Sequence, residues 1–203
     1  MSHIGSMPLP QTAFSEYLLR CNGLDKTGFD SWIFYPGMLF GAEARWWGKR
    51  GHRDRRHEGL DLCLYRDKAG RIHSLNRKTK IPVMFEGEVV KIHDDFLGKS
   101  IYIAHHIYDS SGNQLCTIYG HTEPYGEVAS GGLLGEGDLI ATVADASKRR
   151  AEIPSHLHIS VAWVPQSLSR ESLNWETISR TGEVTLQNPL EVIACRYAVV
   201  TPA

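Results

Sequence analysis

The sequence predicts a mainly β protein, a curved antiparallel sheet or sandwich preceded by a short helical N-terminal arm. Three observations carry this. Apolar residues recur with period two through most of the chain after Gly59, turn-forming clusters separate these runs, and the intervals are too short for crossover helices.

Taken in order, residues Phe14 to Arg20 suit one short helix, with Phe14, Tyr17 and Leu18 on a common face. The stretch Phe29 to Trp47 is dense in aromatics, which core packing explains most simply, with some free to line a binding cleft. Leu60, Leu62 and Leu64 alternate with Asp61, Cys63 and Tyr65. Ile101, Ile103 and Ile107 share one parity around His105, and Leu115, Thr117 and Tyr119 share another with His121. Between them Asp109-Ser110-Ser111-Gly112-Asn113 is a hairpin loop by its chemistry, and Gly131, Gly132, Gly135 and Gly137 punctuate the approach to Asp138–Val143. Leu157, Ile159, Val161 and Trp163 then alternate against His156, His158, Ser160 and Ala162. Such alternation reads as strands with one buried face. The expected organisation is an arm over 1–39, one domain over 40–195 with an insertion at 165–182 that packs Trp175 and Ile178 onto the sheet, and a tail over 196–203. Residues 1–6 read as a vector-derived leader, with Met7 as the native start.

Composition narrows the function classes. Hydrophobic residues make up 42% and charged residues 22% of 203, with a formal net charge of −1. That balance offers no electrostatic footprint for nucleic acid, and no apolar run approaches the ~20 residues that span a bilayer. The start also lacks the basic and apolar stretches of an export signal. Cys21, Cys63, Cys116 and Cys195 form no C-x-x-C pair, so they read as free or buried thiols.

The chemistry concentrates in the histidines. His52, His73 and His93 lie in polar, turn-rich surroundings, while His105 and His106 are neighbours that face opposite ways on a strand. His156 and His158 form an H-x-H pair whose side chains share a face about 6–7 Å apart. His57 and Asp61 would stand about 13 Å apart on a flat strand, too far for one metal ion, so the backbone must bend between them. Gly59 permits the bend and a close approach. With His158 they would form a mixed nitrogen and oxygen set of the kind that catalytic zinc favours. His121 follows Gly120, which removes side-chain bulk beside it. Glu58 should point away from the metal by strand parity.

The order of these pieces, from Phe40-Gly41 through His57-Glu58-Gly59-Leu60-Asp61, Ile81-Pro82-Val83, Glu86-Gly87-Glu88-Val89-Val90, Tyr119-Gly120-His121, Gly137-Asp138-x-Ile140 and His156-x-His158 to Asn188-Pro189, resembles the lysostaphin-like (LytM-type) zinc metallopeptidases, which cut peptidoglycan cross-links and stems. The resemblance implies a compact antiparallel β fold with a groove, built on a duplicated hybrid motif. It implies one zinc ion per chain on His57, Asp61 and His158, two non-ligand catalytic histidines at His121 and His156, and a peptidoglycan or peptide substrate. A cell-envelope location follows from such a substrate, though no export signal is visible.

One segment departs from the pattern. Where the family has a glycine-rich loop before H-x-H, residues Ala144 to Ser155 hold no glycine and carry Lys148-Arg149-Arg150, either a solvated loop or an attractor for a carboxylate-bearing peptide. Two other functions compete with peptide hydrolysis: a catalytically silent peptidoglycan-binding or regulatory module, and a phosphotransfer domain of the same fold. The intact ligand set counts against the first, and Asp61 against the second.

Overall fold

In a computed structural model, residues 9–48, 51–148, 153–180 and 182–201 are described. The helix α1 (Phe14–Cys21) leads into strand β1 (Phe29–Phe34), followed by β2 (Leu60–Leu62), β3 (Leu64–Asp67), β4 (Ile72–Ser74) and β5 (Lys80–Pro82). Three long or paired strands come next, β6 (Gly87–Asp94), β7 (Lys99–Tyr108) and β8 (Gln114–Pro124), then β9 (Leu133–Leu134) and β10 (Leu139–Val143). The chain closes with β11 (Leu157–Val164), helix α2 (Trp175–Arg180), β12 (Thr185–Gln187) and β13 (Tyr197–Val199). No helix among the described residues is long and apolar enough to cross a membrane.

The architecture is mainly β, in two sheets. The larger runs β12-β11-β8-β7-β6-β9, with β2 on β11 and β10 bridging β5 and β8; the smaller runs β13-β1-β3-β4. All pairings are antiparallel except β1 with β13. The alternating run from Leu60 to Tyr65 is therefore not one strand. The chain leaves the larger sheet after Leu62 and joins the smaller at Leu64, with Cys63 buried between them.

The segment read as an arm supplies core. Phe14 and Leu18 of α1 and Trp32 and Phe34 of β1 are fully or almost fully buried in the main cluster with Tyr119, Ile101 and Ile159. Burying side chains of this size contributes roughly 2 kcal/mol each. Trp32 also donates its indole N–H to the Ser15 hydroxyl at 2.8 Å. Near the other end, β13 pairs in register with β1, Trp32 opposite Tyr197.

The central strands differ from the expected half-burial. Tyr102 and Ala104 of β7, Cys116 and Ile118 of β8, and Ala162 of β11 point to the second face of the sheet yet are buried. The chain after Pro165 folds back over that face with Leu173, Ile178 and Val184, giving a second apolar layer. The four cysteines are free thiols.

His105 on β7 is a core histidine with both nitrogens satisfied. It is inaccessible to solvent, its Nδ1–H donates to the Glu86 carbonyl, and Nε2 accepts from the Thr117 hydroxyl, each at 2.9 Å. Burial pushes its pKa down to about 4. The unfolded chain, with an ordinary value near 6.5, takes up the proton first, so this contribution is intact above about pH 6.5 and is lost as pH falls toward 4. Denaturant titrations at pH 7 and pH 4.5 should therefore show a smaller acid-induced loss for His105→Gln than for the wild type, by at most about 3 kcal/mol.

Candidate metal centre

The strand register builds the site. His158 lies opposite Asp61 across the β11–β2 pair and opposite Gly120 across the β11–β8 pair. A carboxylate thus flanks the imidazole on one side, while on the other a residue with no side chain leaves room for the Trp175 ring, edge-on to His158 at 5.0 Å between centroids. A methyl group at Gly120 would lie 3.3 Å from the His158 Cβ and 3.2 Å from the Trp175 ring.

His57 arrives from the segment before β2, turned inward at Gly59. A Cβ at Gly59 would meet the Ile159 carbonyl oxygen at 2.1 Å and the His158 Nε2 at 2.7 Å, so only glycine fits against β11 there. Because residues 57–59 precede the strand, parity does not govern Glu58. It is among the residues that line the same cavity as the metal-ligand candidates.

His57 Nε2, Asp61 Oδ1 and His158 Nδ1 form a triangle with sides of 3.1, 3.2 and 2.9 Å. All three residues are buried. The remaining atoms of each group have partners of their own. His57 Nδ1 donates to the Leu39 carbonyl at 2.9 Å, and His158 Nε2 lies 3.0 Å from the Ser160 hydroxyl, which can accept from it or donate to it. When His158 donates through Nε2, two bare imidazole nitrogens and a carboxylate oxygen face one another, a set of acceptors that suits a metal ion; with no metal bound, protons on the histidines are donated to Asp61 instead. At ligand distances near 2.0–2.1 Å, a tetrahedral ion would want its donors about 3.3 Å apart. The residues fit a metal ion.

Asp61 is held from behind. Its Oδ2 accepts the Trp46 indole N–H at 2.6 Å and a longer contact from Arg53 at 3.4 Å. Burial alone would raise its pKa, but the charges of His57 and His156 and hydrogen bonds from His158 and His57 hold it well below the carboxylate range. Burial lowers the pKa of His158, only partly offset by Asp61.

The other two expected site residues reach the same place. His156 Nδ1 donates to the Pro154 carbonyl at 2.8 Å, leaving Nε2 at 3.5 Å from Asp61 Oδ1. Burial drives its pKa down to about 4 against the opposing charge of Asp61. His121 stands with its ring centroid 4.8 Å from that of His156. It has φ of +62°, the left-handed region that side chains avoid. The β7–β8 register explains this: from Lys99 opposite Thr122 to Ile101 opposite Tyr119, β8 gains one residue, a bulge at Gly120-His121 that re-aims the imidazole.

These groups line a cavity of about 410 Å³ with Trp47, Arg53, Phe96, Ile153 and Trp175 on its walls. Of the aromatic segment before residue 48, Trp32 and Phe34 are core, Trp46 holds Asp61, and Trp47 lines the cavity. The basic run Lys148-Arg149-Arg150 falls on residues whose side chains lie outside those described. His52, His93 and His106 are exposed, and His73 stacks on Tyr65 with Nε2 on Asp67, away from the cavity. Asp95, which bonds His121, is a residue that sequence reasoning missed: it is the second of two adjacent aspartates in Asp94-Asp95-Phe96-Leu97-Gly98, with no motif to mark it.

Comparison with known proteins adds little. No protein-family model matches the chain, and no curated protein does. Among solved structures, the solution NMR structure of lysostaphin is similar at 18% identity and a TM-score of 0.44, over 73% of this chain and 49% of that one. The chain spans about half the length of that protein, and so distant a likeness fixes neither family nor activity.

Two substitutions test the geometry. Gly59→Ala should cost at least ~2 kcal/mol of folding stability, since its Cβ meets strand backbone that cannot give way; chemical denaturation measures it. Trp46→Phe should leave the metal-free protein folded and weaken metal affinity roughly 10- to 100-fold, read by competition with a chromophoric chelator.

Proposed function

We propose that this chain is a zinc-dependent endopeptidase of the lysostaphin-like (LytM-type) kind, cleaving peptide bonds in peptidoglycan stems or cross-links. The observation that carries the reading is the buried triangle of His57, Asp61 and His158, with two further histidines facing the same cavity. The order of motifs along the chain supports it independently. Zinc is the expected ion because the donors are two imidazoles and one carboxylate, the set seen where a coordination position is left for water or substrate.

When bound there, zinc supplies Lewis acidity that activates water and polarises a carbonyl. The protein does the rest. His57, Asp61 and His158 hold the ion, and Leu39, Ser160 and Trp46 keep the three donors aimed. His156 and His121 divide the remaining work, one taking a proton and passing it to the leaving amine, the other facing the oxyanion. Trp47, Phe96 and Trp175 restrict water and give an extended peptide flat apolar walls.

The purified protein is expected to carry about one zinc per chain and to cut purified muropeptides, with mass spectrometry naming the bond and a chelator abolishing the reaction. His158→Ala should lose zinc and activity together. His121→Ala should keep zinc and lose turnover by a factor on the order of 10² or more. A zinc-loaded protein that leaves every muropeptide intact would favour a silent binding module, and full activity in His121→Ala would remove its catalytic role.

A further inference from the structure

The two histidines outside the metal triangle are held by different partners. His156 rests on a backbone carbonyl, whereas His121 rests on a carboxylate. Asp95 lies in the β6–β7 turn with its side chain 2% exposed and collects five hydrogen bonds. Oδ1 accepts from the backbone N–H of Leu97 at 2.9 Å and of Gly98 at 2.7 Å, and from His121 Nδ1–H at 3.1 Å. Oδ2 accepts from the His121 backbone N–H at 2.8 Å and the Ser100 hydroxyl at 2.7 Å. The Ser100 oxygen in turn accepts the Trp175 indole N–H at 3.1 Å.

One carboxylate therefore grips His121 twice, at the backbone of the bulge and at the ring. The backbone contact holds a residue in a conformation that is unfavourable by about 1–3 kcal/mol. The ring contact decides the tautomer, because an anionic acceptor keeps the proton on Nδ1. Among the described residues no hydrogen-bond partner falls on Nε2, and Phe96 closes on the ring edge-on at 4.7 Å between centroids. The Trp175–Ser100 link is a consistent relay of donors. Trp175 itself sits over Gly120 and edge-on to His158, at 5.0 Å.

We propose that Asp95 is the positioning residue of His121, fixing its Nδ1–H tautomer and presenting Nε2 to the substrate, with Ser100 and Trp175 orienting the carboxylate. The inference rests on the endopeptidase reading for its kinetic consequence but not for its structural one. A merely structural Asp95 would stabilise the turn and leave the His121 tautomer and turnover alone.

Long-range ¹H–¹⁵N correlation of the zinc-loaded wild type should show His121 protonated at Nδ1; a bare Nδ1 with the proton on Nε2 overturns the proposal without any variant. Asp95→Asn retains an acceptor for the turn but places an amide where the carboxylate stood. It is expected to keep zinc and KM, to lose roughly 10²-fold or more in kcat on muropeptides, and to change the His121 ¹⁵N signature. Full kcat in a folded, zinc-loaded Asp95→Asn overturns it. Ser100→Ala leaves every turn contact in place and should give a smaller kcat loss in the same direction. If the wild type cuts no muropeptide, the endopeptidase reading fails, and the wild-type tautomer still decides the role of Asp95.

Discussion

Two imidazole nitrogens and one carboxylate oxygen are pressed to about 3 Å of one another in the protein interior. Unless a proton or a metal ion lies among them, they repel. The fold is arranged to hold them there: the β2–β11 register puts Asp61 beside His158, Gly59 lets the preceding segment lie against the strand, and Gly120 makes room for Trp175 on the far side. Leu39, Ser160 and Trp46 then occupy the outward atoms, so that the inward ones are left to share a proton or a metal ion.

Much of this was legible in the amino-acid sequence because the controlling features are local. Period-two alternation reports strands, and an H-x-x-x-D pair spread too widely for one metal points to a bend at the intervening glycine. What was not legible depends on partners distant in the chain. Asp95 has no marker of its own, and its importance appears only when the β7–β8 bulge brings His121 over it. Trp46 and Trp47 are adjacent and chemically identical, yet one braces a ligand and the other faces the cavity. Strand parity has no purchase on Glu58, because the segment that carries it precedes the strand.

The second face of the sheet teaches a related lesson. Alternation predicts one buried face when the opposite residues are polar, but here small or aromatic side chains such as Ala104, Cys116 and Tyr102 occupy that face and are covered by the returning chain. The same excursion brings Trp175 to the metal centre. What looks like an addition to a minimal domain is thus part of both the core and the site.

The smaller sheet has a consequence for how the molecule is made. Its strand β1 is sandwiched between β3, which follows it closely, and β13, which comes at the far end of the described chain. On a ribosome adding roughly 5–20 residues per second, β1 emerges on the order of ten seconds before the strand that covers its outer edge. Throughout that interval it presents unpaired backbone groups beside Trp32 and Phe34, an edge of the sort that recruits other chains. Completion of the sheet is a late, long-range closure. Synthesis therefore leaves this seam open until late, on a sheet separate from the one that carries the candidate metal centre.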